Sequence, residues 1–345
     1  MRRQCGMALA AVLAMAALSV TACGGSDTAG SPRSDKKTVK VGLAYDIGGR
    51  GDKSFNDSAA AGLDKVKKDL NIDAKELSAT LGEPDAAKET RLKLLAQGGY
   101  DPVIAVGFKY AGPLKKVAAQ FPDTKFGIID SADTTGPNIA NLLFAEHEGS
   151  FLVGASAALK SKTKNVGYIG GVQVPLLERF EAGFRAGVAA VDKNIKVQVK
   201  YLTQPPDFSG FGDPAKGKTA AEGMYDAGAD VIYAAAGGSG TGVFQAAKAN
   251  NKLAIGVDSD QYETAPADLK PVIMTSMLKR VDVAVFSFVK DYGDGNFKAG
   301  TQTFDLSSDG VGYSKSGGQV DDIAGKLDDY KKQIIDGKIQ VPDKP

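Results

Sequence analysis

The chain is poor in cysteine and histidine, and both shortages exclude kinds of site. Its 345 residues include two cysteines, Cys5 and Cys23, and one histidine, His147. Because both cysteines lie near the start, no disulfide can form within the rest of the chain. One histidine excludes a multi-histidine metal site. A Ser-His-Asp arrangement through His147 would lack the G-x-S-x-G turn, which is absent from the sequence, so we expect His147 to be structural.

The chain also lacks a block of basic residues. Lys and Arg total 42, Asp and Glu total 41, and the basic side chains are scattered singly or in pairs. Proteins that bind nucleic acid concentrate positive charge on one face. The charge pattern therefore argues against nucleic acid as a partner.

Residues 1–22 have the features of an export signal. Arg2 and Arg3 supply positive charge at the start, and an apolar run follows over residues 8–20. This run is too short for a permanent membrane-spanning helix. We expect the segment to be removed and to take no part in the fold.

The end of this signal, Val20-Thr21-Ala22-Cys23, resembles a lipobox. Processing at such a sequence leaves the cysteine as a lipid-modified first residue, so the resemblance implies lipidation of Cys23. Residues 23–37 are rich in Gly, Ser, Asp and Pro, as expected of a flexible tether between a lipid anchor and a folded domain. The alternative is an ordinary secretory signal with an incidental cysteine.

After the tether, short apolar runs alternate with amphipathic helical stretches along the chain. This alternation is typical of α/β proteins with parallel sheets. Similar strand, loop and helix units occur in both halves, which predicts two α/β lobes. The predicted strands are 39–45, 73–77, 102–106, 125–129, 138–142, 165–169, 196–202, 230–234, 253–257 and 271–277. The predicted helices of the first half and the middle are 58–70, 85–97, 110–120, 148–160 and 178–192.

A glycine-rich loop, residues 46–57, joins the first strand to the first helix. It contains Gly48, Gly49 and Gly51 and then Phe55 between Ser54 and Asn56. Open α/β sheets bind ligands at such loops, at the carboxyl ends of their strands. We expect a recognition loop here.

Residues 212–219, GDPAKGKT, match the P-loop pattern G-x-x-x-x-G-K-[ST]. An insert separates the motif from strand 196–202, and Pro214 lacks an amide that would bind phosphate. An exported protein also meets little nucleoside triphosphate. The motif is more simply the start of a solvated helix, and a P-loop nucleotide-binding enzyme is a remote alternative.

The chain resembles the basic membrane protein family of solute-binding lipoproteins. The resemblance rests on the loop at 46–57 and returns at 211–214 (FGDP), 237–242 (GGSGTG), 256–261 (GVDSDQ) and 275–279 (TSMLK). It implies a type I periplasmic-binding-protein fold, with two Rossmann-like lobes joined by three crossing strands around a ligand cleft. The crossings are expected near 145–149, near 258–260 and after Lys279.

The resemblance also implies domain boundaries. Lobe one should comprise 38–146 and 280–309, and lobe two should comprise 147–279. The C-terminal segment, 310–345, carries a predicted helix over 320–335, and its lobe is left open.

The same resemblance assigns ligand-binding roles in lobe one. Phe55 is expected to stack on a nucleoside base, and Asn56 and Asp130 are expected to contact the base edge, with Asp46 at the end of the first strand beside them. The alternatives are a core position for Phe55 and helix or turn capping for the polar residues.

In lobe two, Phe211 is expected to supply the opposing aromatic ring, with Phe208 as an open alternative on the same lengthened loop. Gly237 and Gly238 would let the backbone approach the sugar. Asp258 and Lys279 are expected to bind the ribose, unless both lie on the surface. These ten residues are the expected ligand site.

The function implied is an extracytoplasmic, lipid-anchored receptor on the cell membrane that delivers a nucleoside, a purine one first, to the permease and ATPase of an ABC importer. We expect a monomer without cofactor, metal or catalytic residues. The alternative within the same fold is a sugar-binding or ligand-sensing lipoprotein not committed to transport.

Overall fold

The structure is a computed structural model that describes residues 38–345. The predicted export signal, the tether and the lipidation at Cys23 lie outside the described residues. Within that range the chain forms two six-stranded sheets with helices packed on them. None of the helices in residues 38–345 is long and apolar enough to cross a bilayer.

The first sheet is entirely parallel. Its strands are β1 (Lys40–Ile47), β2 (Asp73–Ala79), β3 (Val103–Ala105), β4 (Phe126–Ile129), β5 (Ile139–Phe144) and β11 (Gly300–Phe304). They lie in the order β11-β5-β4-β3-β1-β2. β3 and β4 are short apolar runs buried along their whole length, as expected for a parallel sheet covered on both faces.

The second sheet repeats this plan. Its strands are β6 (Asn165–Val172), β7 (Lys196–Thr203), β8 (Val231–Ala235), β9 (Leu253–Asp258), β10 (Ile273–Lys279) and β12 (Val311–Tyr313). The order is β12-β10-β9-β8-β6-β7, and β12 alone in this sheet runs antiparallel to its neighbour. All of the strands predicted from apolar runs are therefore confirmed.

Helices cover both faces of each sheet. They are α1 (Phe55–Leu70), α2 (Asp85–Gln97), α3 (Ala111–Ala118), α4 (Glu146–Lys160), α5 (Pro175–Val191), α6 (Pro214–Asp226), α7 (Gly240–Ala249), α8 (Gln261–Thr264), α9 (Val281–Gly293) and α10 (Ala324–Ile335). We call the first sheet with α1, α2, α3 and α9 lobe one, and the second sheet with α4 to α8 lobe two. Each lobe has its own buried apolar core.

Close helix packing in lobe two depends on glycine. α4 and α5 approach so closely that a Cβ at Gly183 would collide with the carbonyl of His147, and one at Gly187 with the carbonyl of Phe151. Since the backbones touch, no side chain fits between them. This contact fixes α4 and α5 relative to each other.

The chain passes between the lobes three times. The first two passages, at Ala145 and directly after Lys279, agree with the predicted crossings. The crossing predicted near 258–260 is wrong, because β9 and β10 are neighbours in one sheet and the chain between them stays in lobe two through α8. The third passage instead joins β11 to β12, over residues 305–310.

The C-terminal segment contacts both lobes. β12 pairs with β10 of lobe two, and Leu327 of α10 lies in the lobe-two core, whereas Ile334 lies in the lobe-one core. The helix predicted over 320–335 begins as a 3-10 turn and becomes α-helical at Ala324. β11 and β12 were not predicted, because GTQTF and VGY contain no apolar run that would indicate a strand.

Candidate functional site

A cleft of about 630 Å³, partly open to solvent, lies between the two lobes where their strands end. Lobe one contributes Asp46, Ile47, Asp52, Phe55, Asn56, Gly107, Phe108 and Asp130. Lobe two contributes Leu176, Leu177, Phe180, Phe211, Ala235, Gly237, Val257, Asp258 and Lys279. Of the ten residues expected in the site, Phe208 and Gly238 do not line the cleft.

The glycine-rich loop after β1 is held in shape by Asp52. Its carboxylate accepts hydrogen bonds from the backbone amides of Ser54, Asn56 and Asp57 at 2.8 to 3.1 Å. These amides form the start of α1, and so Asp52 caps a helix that begins at Phe55, three residues before its predicted start at residue 58. Asp52 was not among the residues expected in the site.

Asn56 uses its amide group within the same loop. Its Oδ1 accepts from the Asp46 amide at 3.0 Å, and its Nδ2 donates to the Ile47 carbonyl at 3.1 Å and to Asp52 Oδ2 at 3.0 Å. The side chain is buried, yet it lines the cleft. Its contact with a base edge stays a prediction, and the contacts present fix the loop.

Lys279 lines the cleft and is fully buried. Its Nζ is 2.6 Å from Asp130 Oδ2 and 3.7 Å from Glu146 Oε1. Burial alone would lower the pKa of Lys279, but the carboxylates of Asp130, Glu146 and Asp258 outweigh this and raise the pKa above its usual value. Lys279 is therefore a firmly held ammonium group.

Three phenyl rings surround this ammonium group. The Lys279 Nζ is 5.0 Å from the ring centroid of Phe55, 5.1 Å from that of Phe144 and 5.6 Å from that of Phe180. Cation–π attraction stabilises such contacts, more strongly where water is excluded. Phe55 and Phe180 also line the cleft, so they can face a ligand and the cation together.

Asp130 and Asp258 end their strands in similar conformations. Their φ angles are 67° and 65°, in the left-handed region that Asp tolerates better than most residues. Asp258 Oδ2 accepts a hydrogen bond from Ser54 Oγ at 2.6 Å, which joins the lobes. Asp130 Oδ1 is buried and has no hydrogen-bond partner among the described residues. This oxygen can accept a hydrogen bond from a ligand.

Burial raises the pKa values of several carboxyl groups in and below the cleft. It raises the pKa of Asp46 and of Asp258 to about 6, and that of Glu146 to about 7 even though Lys279 acts in the opposite direction. These carboxyl groups therefore keep their protons to a higher pH than exposed carboxyl groups do.

The two candidate aromatic residues of lobe two take different positions. Phe211 lies in the 3-10 turn at 209–211, packs against Gly171 and lines the cleft. Phe208 instead contacts lobe one at the cleft rim, where its ring is 6.1 Å from that of Phe108. Of the two rings, Phe211 is thus the one that lines the cleft.

The glycine pair lies beside Phe211. Gly237 has a φ of 56°, and a Cβ there would be 3.0 Å from the Phe211 carbonyl oxygen. Gly237 lines the cleft, while Gly238 lies behind it near the same carbonyl. The absence of a side chain lets the backbone come close to the cleft at this point.

Sequence reasoning missed several cleft residues. Glu146 lies beneath the lining residues, beside Lys279; it is the first residue of α4, two positions after β5 ends, so a search for carboxylates close to strand ends could have found it. Phe180 lies on the apolar stripe of α5 and looks like a core residue in sequence. Phe108 follows β3 in a short 3-10 turn without a motif.

The P-loop pattern does not form a phosphate-binding loop. The Asp213 side chain accepts from the Lys216 amide at 3.0 Å, and the Asp213 carbonyl accepts from the Gly217 amide at 3.1 Å, so both amides are occupied. Lys218 is exposed and lies 3.7 Å from Glu222 on the same helix. The segment is an ordinary capped helix start.

Comparison with known proteins agrees with this architecture. The family described as ABC transporter substrate-binding protein PnrA-like matches residues 38–345. The CD4+ T-cell-stimulating antigen of Listeria innocua is 35% identical, covering 100% of this chain and 99% of its own length. The ABC transporter nucleoside-binding protein BmpA of Lactococcus lactis is 34% identical, covering 96% and 97%.

Solved structures agree as well. A solute-binding protein of an ABC transporter system from Aeropyrum pernix superposes with a TM-score of 0.76 at 30% identity, covering 88% of this chain and 94% of its own. One from Conexibacter woesei gives 0.72 at 25% identity, covering 89% and 99%. The chain therefore has the type I fold of solute-binding proteins and belongs to the family of PnrA-like substrate-binding proteins of ABC transporters.

Proposed function

We propose that this protein binds a purine nucleoside between its two lobes and delivers it to the permease and ATPase of an ABC importer. The observation that carries the proposal is the combination of groups in one cleft. Phenyl rings from both lobes, Phe55 and Phe211, line the same space as the buried carboxylates of Asp130 and Asp258 and the ammonium group of Lys279.

This combination suits the two halves of a nucleoside. A flat base gains from aromatic faces on both sides, and ribose hydroxyls donate to carboxylates. Asp130 Oδ1 is buried and lacks a hydrogen-bond partner within residues 38–345, so a hydrogen bond donated by a ligand would remove an unfavourable unpaired oxygen. The printed name of the Lactococcus lactis relative, a nucleoside-binding protein, supports the same ligand class.

The proposal places the protein on the extracytoplasmic face of the cell membrane, held by lipid on Cys23. Relatives from Pyrococcus species are named as lipoproteins. Mass spectrometry of the N-terminal peptide of the protein purified from membranes tests this point. A lipid-modified Cys23 is expected, and an unmodified N-terminus in soluble protein would contradict the anchor.

The ligand is tested by thermal melting of the mature chain, residues 23–345 with Cys23→Ser, against nucleosides, free bases, pentoses and ATP. A ligand at a hundred times its Kd stabilises the folded state by about 2.7 kcal/mol, a shift of several degrees. Shifts with purine nucleosides are expected. Shifts with sugars alone would retain the fold and overturn the ligand.

A matched pair of variants tests the ribose contact. Asp258→Asn keeps the shape and tolerates a φ of 65°, but removes the charge, so nucleoside affinity should fall by at least about tenfold. The control is Asp268→Asn, an exposed aspartate paired with Lys248. Equal affinity in both variants would contradict the role of Asp258.

A further inference from the structure

Phe208 and Phe108 pack on each other across the lobe boundary. Their ring centroids are 6.1 Å apart, with an angle of 54° between the ring planes. Both are half-buried, and in the described part of the chain neither contributes to the core cluster of its own lobe. Each ring lies outside the core of its own lobe and packs against the other lobe. This arrangement indicates a contact that stabilises the closed arrangement of the two lobes.

Lys109 strengthens this contact. Its Nζ lies 3.9 Å from the centroid of the Phe208 ring. Phe108 and Lys109 are consecutive in lobe one, and so one short turn presents both a ring and a cation to the same residue of lobe two. The pair of interactions combines aromatic packing with cation–π attraction.

The loop that carries Phe208 is held on both sides. Thr203 Oγ1 donates to the Asp207 carbonyl at 2.7 Å, and the Ser209 amide donates to Asp207 Oδ1 at 2.8 Å. Lys216 Nζ donates to Ser209 Oγ at 2.7 Å. Lobe two therefore restrains the backbone on both sides of Phe208, which lowers the entropy lost when the ring contacts lobe one.

The contact lies at the rim of the cleft. Phe108 lines the cleft, whereas Phe208 touches Phe108 from outside the lining. Since the contact joins the lobes without passing through a ligand, it forms when the lobes close and must break before they open. We propose that Phe208, Phe108 and Lys109 form a rim clasp that sets how slowly a bound nucleoside leaves, an inference that rests on the proposed function for its ligand.

The clasp predicts an effect on the dissociation rate. Phe208→Ala removes the aromatic pair and the cation–π contact, so it should raise koff by roughly fivefold to thirtyfold. It should change kon by less than about twofold, because the ligand enters the open form. Lys109→Met keeps the aliphatic stem and removes the charge, so a smaller rise, about twofold to fivefold, is expected. Phe208→Tyr keeps the ring and should stay near the parent value.

The measurement is surface plasmon resonance of guanosine on the immobilised mature chain with Cys23→Ser. The matched control is Lys65→Met, because Lys65 Nζ lies 4.6 Å from the Phe286 ring inside lobe one alone. Its koff should equal that of the parent. A koff for Phe208→Ala within twofold of the parent, or a fall in kon without a rise in koff, would overturn the clasp.

A second readout needs no ligand. Without Cys23 the mature chain has no cysteine, so spin labels can be placed on exposed glutamines of the two lobes, as Gln97→Cys and Gln245→Cys. Phe208→Ala should change the distribution of distances between the labels, and Lys65→Met should not. An unchanged distribution would overturn the clasp. Failure of the parent chain to bind guanosine or any other purine nucleoside would overturn the proposed function and leave this distance test to decide the clasp.

Discussion

The lobe-one wall of the cleft carries three aspartates and one asparagine, whereas the lobe-two wall is mostly apolar and carries Asp258 and Lys279. Most polar side chains of the lobe-one wall form hydrogen bonds within their own loop. Asp52 and Asn56 bind backbone groups of the turn before α1. Asp130 is the exception, because one of its oxygens has no partner in the described part of the chain.

The difference between the two walls shows that most polar groups of lobe one maintain the shape of its loop, and that few of them are free to contact a ligand. Lobe one uses charge to hold a glycine-rich loop that apolar contacts could not fix, and lobe two offers a firm apolar surface backed by the α4–α5 contact. Lys279 of lobe two binds Asp130 of lobe one at 2.6 Å, so the two walls share one ion pair. A ligand that contacts both walls therefore lies against the Lys279–Asp130 ion pair.

Removal of Lys279, the one cation among the described residues that line the cleft, should have the largest effect. Lys279→Met leaves Asp130 and Asp258 buried without the ammonium group that they face, while Glu146 keeps Arg179, whose Nε lies 3.5 Å from Glu146 Oε2. Breaking a buried pair from one side costs about 3–5 kcal/mol. The free energy of unfolding from denaturant titration should fall by that amount, and nucleoside binding should be lost. Lys248→Met, at an exposed pair, should cost less than about 1 kcal/mol. Equal stability of the two variants would show that the cluster does not need its charge.

The excess of carboxylates predicts discrimination against phosphorylated ligands. Among the described residues that line the cleft, four are aspartates and one is a lysine. A nucleoside 5′-monophosphate carries a charge of about −1.5 to −2 and should bind at least about tenfold more weakly than its nucleoside. Calorimetry with the 5′-O-methyl nucleoside as an uncharged control of similar reach checks this. If the methyl compound loses as much affinity as the phosphate, crowding rather than charge is responsible.

The sequence predicted the position of this cleft well, and for a physical reason. In a parallel sheet, strand ends meet at one edge, which groups Asp46 with Asp130 in one lobe and Asp258 with Lys279 in the other. The family resemblance, with its cleft between two lobes, brought the two pairs together. The apolar runs also located the strands, because buried parallel strands leave a continuous signal. β11 lacked such a run, since GTQTF is half exposed at the sheet edge.

The sequence did not predict which side chains of a loop point into the cleft. Phe208 and Phe211 are three residues apart on one loop, and only the packing of Phe211 against Gly171 decides which of them lines the cleft. Asn56 was expected to reach a ligand, yet its donors and acceptor are used by the loop, a choice fixed by backbone geometry. The order of strands and loops along the chain predicts at which end of the sheet these residues lie, and it does not predict the direction of each side chain.

Protonation of the floor gives a smaller, pH-dependent effect. Burial raises the pKa of Glu146 to about 7, above its unfolded value, so the folded chain binds more protons between these values. The free energy of unfolding of the ligand-free protein should therefore rise as pH falls from 8 to 5.5. Glu146→Gln should remove the contribution of Glu146, about 1 kcal/mol or more, and leave the smaller contributions of Asp46 and Asp258, whose pKa values burial raises to about 6. His147, whose pKa burial lowers, acts in the opposite direction in both proteins and cancels in the comparison. Identical pH profiles for the variant and the parent would remove Glu146 from the linkage.

The smallest effect is expected at Lys218, a lysine of lobe two that lies outside the cleft. Its exposed side chain is 3.7 Å from Glu222 one helical turn away, a pair worth about 0.3–0.5 kcal/mol. Lys218→Ala should therefore change the free energy of unfolding by less than about 0.5 kcal/mol and leave nucleoside affinity unchanged, in contrast to Lys279→Met. Because Asp213 already occupies the nearby amides, ATP should not raise the melting temperature of either protein. An ATP-dependent rise in the parent that disappears in Lys218→Ala would mean that lobe two binds phosphate at this helix, and the contrast between a cleft lysine and a surface lysine would fail.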